Sequence, residues 1–224
     1  MRPDLIVFDV NETLSDMSPM GERFAGVGAP AHLARTWFTA LLRDGFALTA
    51  AGQNPRFADV GSELLRGLLA DHVERVEDLD SAVEHVMTGF LGLPLHPDVA
   101  EGVRALQGLG IRLVTLSNGS ADVARGLLGR HGLTDAFEAL LSVEDAPRWK
   151  PAPEAYAHAL QVCGVPAPRA MLVAVHPWDV HGAHHAGLAT AWVDRTGTAY
   201  PDHFAPPDVR ATSLVDLTAA LGPR

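Results

Sequence analysis

The chain is poor in cysteine and in positively charged residues, and each shortage excludes certain classes of protein. Cys163 is the single cysteine among 224 residues, so a disulfide framework is excluded and a reducing compartment is favoured. Lysine and arginine total 17 against 27 acidic residues, which gives a formal charge of −10 without any basic cluster. The sequence therefore predicts no nucleic-acid partner and no anionic membrane surface.

Long apolar runs are also lacking. No stretch approaches the ~20 apolar residues that a membrane-spanning helix needs, and no basic segment followed by an apolar one opens the chain. We therefore expect no membrane partner and a cytoplasmic location. Hydrophobic residues make up 47% and charged residues 20% of the chain, a balance that is typical of a globular enzyme.

Five short apolar runs predict the strands of a parallel sheet. Each run is apolar almost without interruption, which is typical of strands that are covered on both faces. From residue 97 onward predicted helices alternate with these runs, and this alternation indicates a doubly wound α/β fold. The predicted strands are Leu5–Phe8, Ile111–Leu116, Ala139–Val143, Met171–Val175 and Thr190–Val193, and the predicted helices are Asp98–Leu109, Ala121–His131, Pro153–Cys163 and Asp179–Ala186.

The first predicted strand is followed by almost a hundred residues without another strand. Three helical patterns fill this interval, so we interpret residues 15–94 as an inserted helical cap domain and residues 1–14 with 95–224 as the α/β core domain. The segment RTGTAYPDHFAPPDV is expected to be an ordered surface loop. A homodimer formed through the cap helices is left open, because an apolar helix stripe more often faces its own core.

Polar residues follow four of the predicted strands. In open α/β sheets ligands bind beyond the carboxyl ends of the strands, so these side chains are expected to converge on one site. In chain order they are Asp9, Asn11 and Thr13, then Ser117 and Asn118, then Lys150 and Tyr156, and finally His176 and Asp179.

The motifs DVNETL, LSNGS, WKPAPEAY and HPWD, in this order, resemble those of the haloacid dehalogenase superfamily and most closely its type II 2-haloacid dehalogenase branch. The resemblance covers essentially the whole chain, including the helical insert. It implies a hydrolase that converts a short 2-haloacid into a 2-hydroxy acid. Asp9 would attack the halogen-bearing carbon, and water would hydrolyse the aspartyl ester that results.

The same resemblance implies a role for each of the other residues. Lys150, held by Asp179, would keep Asp9 ionised and in place. Ser117 and Asn118 would bind the substrate carboxylate. Thr13 would support the catalytic residues, and Asn11 and Tyr156 would help to bind the substrate.

The superfamily mostly transfers phosphoryl groups with Mg²⁺ and a second aspartate, and two of the required side chains are missing. Asn11 stands two residues after Asp9, and an amide cannot carry a proton to and from a leaving oxygen. Val175 stands where the metal-binding acid is expected, and Mg²⁺ requires oxygen ligands. We therefore expect no metal and no cofactor, with a small carboxylate substrate and a halide as the partners. A Mg²⁺-dependent phosphatase and a catalytically impaired binding protein are the alternatives.

Three positions depart from the dehalogenase pattern. Thr39 stands where the resemblance implies a halide-binding arginine, and Arg35 or Arg43, four residues to either side, could replace it, with Arg43 preferred. Ala174 and His176 stand where a serine and an asparagine are implied, and His176 could act as a base on the hydrolytic water.

The cluster His181, His184 and His185 is interpreted as partly exposed helix residues rather than as a metal site.

Overall fold

The computed structural model describes residues 2–72 and 76–222, with the backbone alone for residues 76 and 77. The chain forms two compact units, which we call the α/β unit (residues up to Ser15 and from Leu95 onward) and the helical unit (Asp16–Pro94). The sequence interpretation places this division one residue earlier, after residue 14. Over the residues described, no helix is long and apolar enough to cross a membrane.

A parallel sheet of six strands organises the described part of the α/β unit. All of its strand pairings are parallel, in the spatial order β3-β2-β1-β4-β5-β6. The predicted doubly wound α/β fold is thereby confirmed. The strands are β1 (Leu5–Phe8), β2 (Arg112–Ser117), β3 (Ala139–Ser142), β4 (Ala170–Ala174), β5 (Ala189–Val193) and β6 (Val209–Ala211).

The central position of β1 explains its composition. Each of its four residues has 0% of its surface exposed, because β2 and β4 pair with its edges and side chains cover both faces. Such a strand needs apolar residues at every position rather than at alternate ones. The predicted bounds of β1 are confirmed, and those of the other four predicted strands differ by one residue at one or both ends.

Helices connect and cover the strands of the α/β unit. Proline and glycine account for the bounds of α7: Pro153 opens it, where a missing N–H costs nothing, and Gly164 ends it with a φ of 64°. The short elements β6 and α9 were not predicted, because three to eight residues give too little periodicity. The helices are α5 (Val99–Gly108), α6 (Ala121–Gly129), α7 (Pro153–Cys163), α8 (Pro177–His185) and α9 (Leu214–Leu221).

The helical unit packs its helices around aromatic side chains. Trp37 is fully buried, lies 5.6 Å from the ring of Phe90, and donates its indole N–H to the carbonyl of Gly61 at 2.9 Å. A Cβ at Gly61 would lie 3.0 Å from Leu41, so the glycine permits close packing of two helices. The helices are α1 (Met20–Gly26), α2 (Leu33–Ala50), α3 (Phe57–Leu69) and α4 (Val76–Leu91).

Candidate active site

Asp9 is the first residue beyond β1 and lies at the carboxyl edge of the sheet. Its backbone N–H still bonds to Val173 in β4 at 3.0 Å, so the sheet holds its Cα, and only 4% of the residue is exposed. The chain then turns, and Thr13 returns its hydroxyl to Asp9 Oδ2 at 2.6 Å. The same hydroxyl accepts the N–H of Val175 at 3.1 Å. Thr13 therefore fixes the Asp9 carboxylate against the end of β4.

Lys150 joins two buried carboxylates. Its Nζ lies 2.9 Å from Asp9 Oδ1 and 2.6 Å from Asp179 Oδ2, and the residue is 0% exposed. Its backbone is held by the side chain of Asn118, which accepts the Lys150 N–H at 2.9 Å and donates to the Lys150 carbonyl at 3.2 Å. The segment that carries the cation is thus bonded to the residue that follows β2.

Asp179 is held in turn by Tyr156. The phenol donates to Asp179 Oδ1 at 2.6 Å, and both residues are completely buried. Gly182, on the next turn of α8, leaves space for this contact, because a Cβ there would lie 2.6 Å from the phenolic oxygen. With Lys150 on one oxygen and Tyr156 on the other, Asp179 cannot rotate without losing a bond.

The charges in this cluster favour an ionised Asp9. Burial raises the pKa of Asp9, but the Lys150 ammonium and the bonds from His176 and Thr13 outweigh it and hold the pKa well below 3.8. Burial lowers the pKa of Lys150, yet the carboxylates of Asp179 and Asp9 hold it above 10.5. Burial and the neighbouring Asp179 carboxylate raise the pKa of Tyr156 well above 10, so the phenol stays a neutral donor.

His176 lies between two carboxylates. Its Nδ1 is 3.1 Å from Asp9 Oδ2, its Nε2 is 2.8 Å from Glu12 Oε2, and its ring stacks on Trp178 with the centroids 5.0 Å apart. Burial lowers the pKa of His176, but the bonds to Asp9 and Glu12 raise it to about 9. A ring that is protonated at neutral pH cannot take a proton from water, so the expected role of His176 as a base does not fit this arrangement.

Ser117, the last residue of β2, and Asn118, which follows it, use their side chains within the protein. The Ser117 hydroxyl accepts the N–H of Gly119 at 3.0 Å, and the Asn118 amide is engaged with the Lys150 backbone. Their expected binding of the substrate carboxylate stays a prediction, and for Asn118 it falls to the backbone N–H rather than to the side chain. Asn11, two residues after Asp9 in the sequence, is buried, with 7% of its surface exposed.

The remaining predicted positions are exposed or half-buried, each in its own unit. Thr39 and Arg35 are exposed on α2 of the helical unit, and Arg43 is exposed there and bonds to Asp44 at 2.7 Å. In the α/β unit, His184 and His185 are exposed, and half-buried His181 accepts the N–H of Ala205 at 3.0 Å. Over the described residues, no group of three or more His, Cys, Asp or Glu side chains is arranged to hold a metal ion.

Two residues of the site region were not singled out from the sequence. Glu12 lies within the DVNETL motif, but nothing in the motif indicates that its side chain reaches His176. Arg195 donates to the carbonyl of Thr13 at 2.8 Å and to Asp98 at 2.8 Å, and follows a strand end as the other site residues do. Lys150 is the only lysine in the chain, which is a further indication, besides its motif, that this residue has a specific role.

Comparisons with known proteins agree with this arrangement. A family model described as a haloacid dehalogenase-like hydrolase matches residues 3–187. An (S)-2-haloacid dehalogenase of Pseudomonas putida is 27% identical over 215 residues, 95% of either chain. One of Burkholderia cepacia is 29% identical over 213 residues, 94% of this chain and 91% of the relative.

The fold is shared over the full length with solved structures. A dehalogenase solved as an intermediate complex superposes with a TM-score of 0.90 at 28% identity, over 100% of this chain and 99% of that one. The resemblance that the four motifs carry is thereby confirmed. The chain belongs to the family of haloacid dehalogenase-like hydrolases.

Proposed function

We propose that this protein is a hydrolytic dehalogenase that converts short 2-haloacids into 2-hydroxy acids through an ester on Asp9. The observation that carries the proposal is a buried, ionised Asp9 carboxylate held by Lys150, Thr13 and His176, with Asn11 in place of a second acid. The names of the relatives favour the (S) enantiomer as the substrate.

The first half-reaction is a displacement at carbon. An oxygen of Asp9 donates an electron pair to C2 of the substrate, the carbon–halogen bond breaks, and the halide leaves with the bonding pair. A hydrated carboxylate is a weak nucleophile, and the 4% exposure of Asp9 removes most of that hydration. The low pKa of Asp9 keeps the nucleophile ionised over the whole physiological range.

The second half-reaction is hydrolysis of the ester. Water attacks Cγ of Asp9, the bond between Cγ and the esterified oxygen breaks, and the 2-hydroxy acid leaves with that oxygen. One proton of the water passes to the product hydroxyl, and the other is released as Asp9 returns to a carboxylate. Asp179 holds Lys150 against Asp9, so the nucleophile is already in place before the substrate binds.

The contacts of Asp9 favour a reaction without a divalent metal. Lys150 occupies one carboxylate oxygen, and Thr13 and His176 occupy the other, so two of the three partners are cations. A divalent ion at Asp9 would have to displace one of them and would be repelled by the rest. Val175 and Asn11 add no carboxylate to attract it.

Three measurements separate the alternative activities. With 2-chloropropionate we expect stoichiometric chloride and lactate, at the same rate with and without EDTA. A Mg²⁺-dependent phosphatase would instead hydrolyse p-nitrophenyl phosphate and lose that activity in EDTA. An inert binding protein would be stabilised by 2-chloropropionate without releasing chloride, and either result would overturn the proposal.

Several finer assignments stay predictions of this proposal. The departing halide would be received by Thr39 or by a neighbouring arginine of α2, with Arg43 preferred over Arg35. A cytoplasmic location is likewise expected, and a homodimer formed through the cap helices stays open. The helical unit would serve as the cap domain of the enzyme.

A further inference from the structure

The two oxygens of Asp9 have different partners. Among the described residues, Oδ1 receives a single donor, the Lys150 ammonium at 2.9 Å. Oδ2 receives two, the Thr13 hydroxyl at 2.6 Å and the His176 ring at 3.1 Å. An oxygen with one donor keeps more of its lone-pair density for attack, whereas an oxygen with two fixed donors is prepared to carry negative charge. The oxygens are therefore suited to different parts of the reaction.

The two contacts of His176, with Asp9 Oδ2 and with Glu12, exist together only while its ring is an imidazolium. Both ring nitrogens face carboxylate oxygens, Asp9 on the Nδ1 side and Glu12 on the Nε2 side. Carboxylates only accept hydrogen bonds, so both nitrogens must carry a proton for both contacts to form. A neutral ring that kept its bond to Glu12 would turn a bare nitrogen toward Oδ2.

Glu12 is held in the conformation that makes this contact. It is the non-glycine residue with positive φ, 61°, in the described part of the chain, and this conformation directs its side chain toward His176. Its N–H donates to the Ser15 hydroxyl at 3.2 Å, and its carbonyl accepts from His96 Nε2 at 3.0 Å. The backbone on both sides of the Glu12 side chain is therefore tied down.

We propose that Glu12 is a positioning residue that holds His176 in place and charged, so that His176 and Thr13 together form the oxyanion hole for hydrolysis of the Asp9 ester. This proposal rests on the proposed function. Neither the motif pattern nor the names of the relatives assign a role to Glu12.

Hydrolysis of the ester passes through a tetrahedral intermediate on Cγ of Asp9. Oδ1 is the oxygen that attacked carbon and now bears the substrate. Water adds to Cγ, and the carbonyl electron pair moves onto Oδ2, where the Thr13 O–H and the His176 N–H stabilise the new charge. When that pair returns, the Cγ–Oδ1 bond breaks and Oδ1 leaves in the product, which takes one proton of the water. The other proton goes to solvent, and Asp9 keeps the oxygen of the water.

The charged groups around His176 set the pH at which this arrangement is lost. Asp9 and Glu12 face its two nitrogens, Lys150 faces the opposite oxygen of Asp9, and Asp179 pairs with Lys150. The two carboxylates that contact the ring raise the pKa of His176 to about 9. Esterification removes the charge of Asp9, so Glu12 is then the carboxylate that still contacts the ring and keeps it protonated.

The test is a single-turnover comparison of wild type with Glu12→Gln across pH 6 to 10. Glutamine can still accept from Nε2 but carries no charge, so the alkaline limb of ester hydrolysis should move to lower pH by about 1 to 2 units. At pH 8 to 9 hydrolysis should slow by roughly 10- to 100-fold, with halide release slowed less. Intact-protein mass should then show accumulated ester, while at pH 6 the two proteins should differ little in hydrolysis.

Two further variants keep the test decisive. Glu101→Gln removes an exposed glutamate of α5 and should leave the pH profile in place. His176→Asn supplies an amide donor that does not titrate, so it should hydrolyse the ester without the alkaline limb, and Glu12→Gln added to it should change nothing further. This second comparison does not depend on the folding of Glu12→Gln alone.

Some outcomes would overturn the proposal. These are an unshifted alkaline limb in Glu12→Gln, an equal loss in both half-reactions at every pH, or the wild-type limb retained in His176→Asn. Absence of halide release from the wild-type protein is a different result, since it refutes the proposed function itself.

Discussion

Replacing Lys150 with methionine is expected to slow halide release by at least about 10³-fold. The methionine fills nearly the same volume, but Asp9 and Asp179 lose the cation that lies 2.9 and 2.6 Å from their oxygens. Without the ammonium, only the bonds from His176 and Thr13 oppose the effect of burial on the pKa of Asp9, so more of this carboxyl is protonated at a given pH. A protonated carboxyl is not a nucleophile, so the rate should fall further as the pH is lowered.

The same substitution should reduce stability. Breaking a buried ion pair leaves uncompensated charge, and the free energy of unfolding at pH 7 should fall by about 3–5 kcal/mol in urea denaturation. Burial raises the pKa of Asp179 even beside Lys150, and without the ammonium it lies further above its unfolded value. The folded state of the variant therefore gains on protonation, and the deficit should shrink toward pH 4. Arg148→Met, which removes a half-exposed cation two residues away, should cost no more than about 1 kcal/mol. A Lys150→Met protein with wild-type stability and rate would contradict both expectations.

Substituting Asp9 with asparagine should abolish turnover, with a loss of at least about 10⁴-fold in halide release. The amide has the shape of the carboxylate and can still accept from Thr13 or Lys150, but it lacks the negative charge that makes the oxygen nucleophilic enough to displace a halide. The variant should retain the wild-type circular dichroism spectrum, and it should form no adduct detectable by intact-protein mass after incubation with substrate.

The matched control for this variant lies on the surface of the same unit. Asp122→Asn makes the same chemical change in α6 on a side chain that is 87% exposed, and we expect halide release within about twofold of wild type. If Asp9→Asn released halide at a measurable fraction of the wild-type rate, the oxygen that attacks carbon would not belong to Asp9.

The ends of the buried strands could be predicted because a strand that is covered on both faces is apolar at every position, and the run stops where the strand ends. The run Leu5–Phe8 is apolar at every position and ends at a carboxylate, and its bounds in the structure are those expected. The helix Pro153–Cys163 was likewise bounded correctly by its proline and glycine. The strand Val209–Ala211 was missed because it is three residues long and contains an arginine. The loop expected over residues 195–209 therefore overlaps this strand by one residue, Val209.

The sequence predicts which residues come together at the site better than it predicts the hydrogen bonds between them. The order of residues at strand ends brings Asp9, Lys150 and Asp179 to one edge, but it does not say which atoms bond. Asn118 holds the backbone of a residue 32 positions away, and Glu12 reaches a histidine 164 positions away through a positive φ. The charge of His176 depends on both of its acceptors, so a ring expected to be a base near neutral pH is instead a cation.

The central claim is that an oxygen of Asp9 bonds to the substrate carbon. It is tested most directly by one turnover of 2-chloropropionate in ¹⁸O-labelled water, with enzyme in excess, followed by mass analysis of both the lactate and the peptide that contains Asp9. We expect unlabelled hydroxyl oxygen in the lactate and one ¹⁸O atom in the side chain of Asp9. Labelled lactate together with an unlabelled Asp9 would mean that water attacks the carbon itself, and would contradict the account.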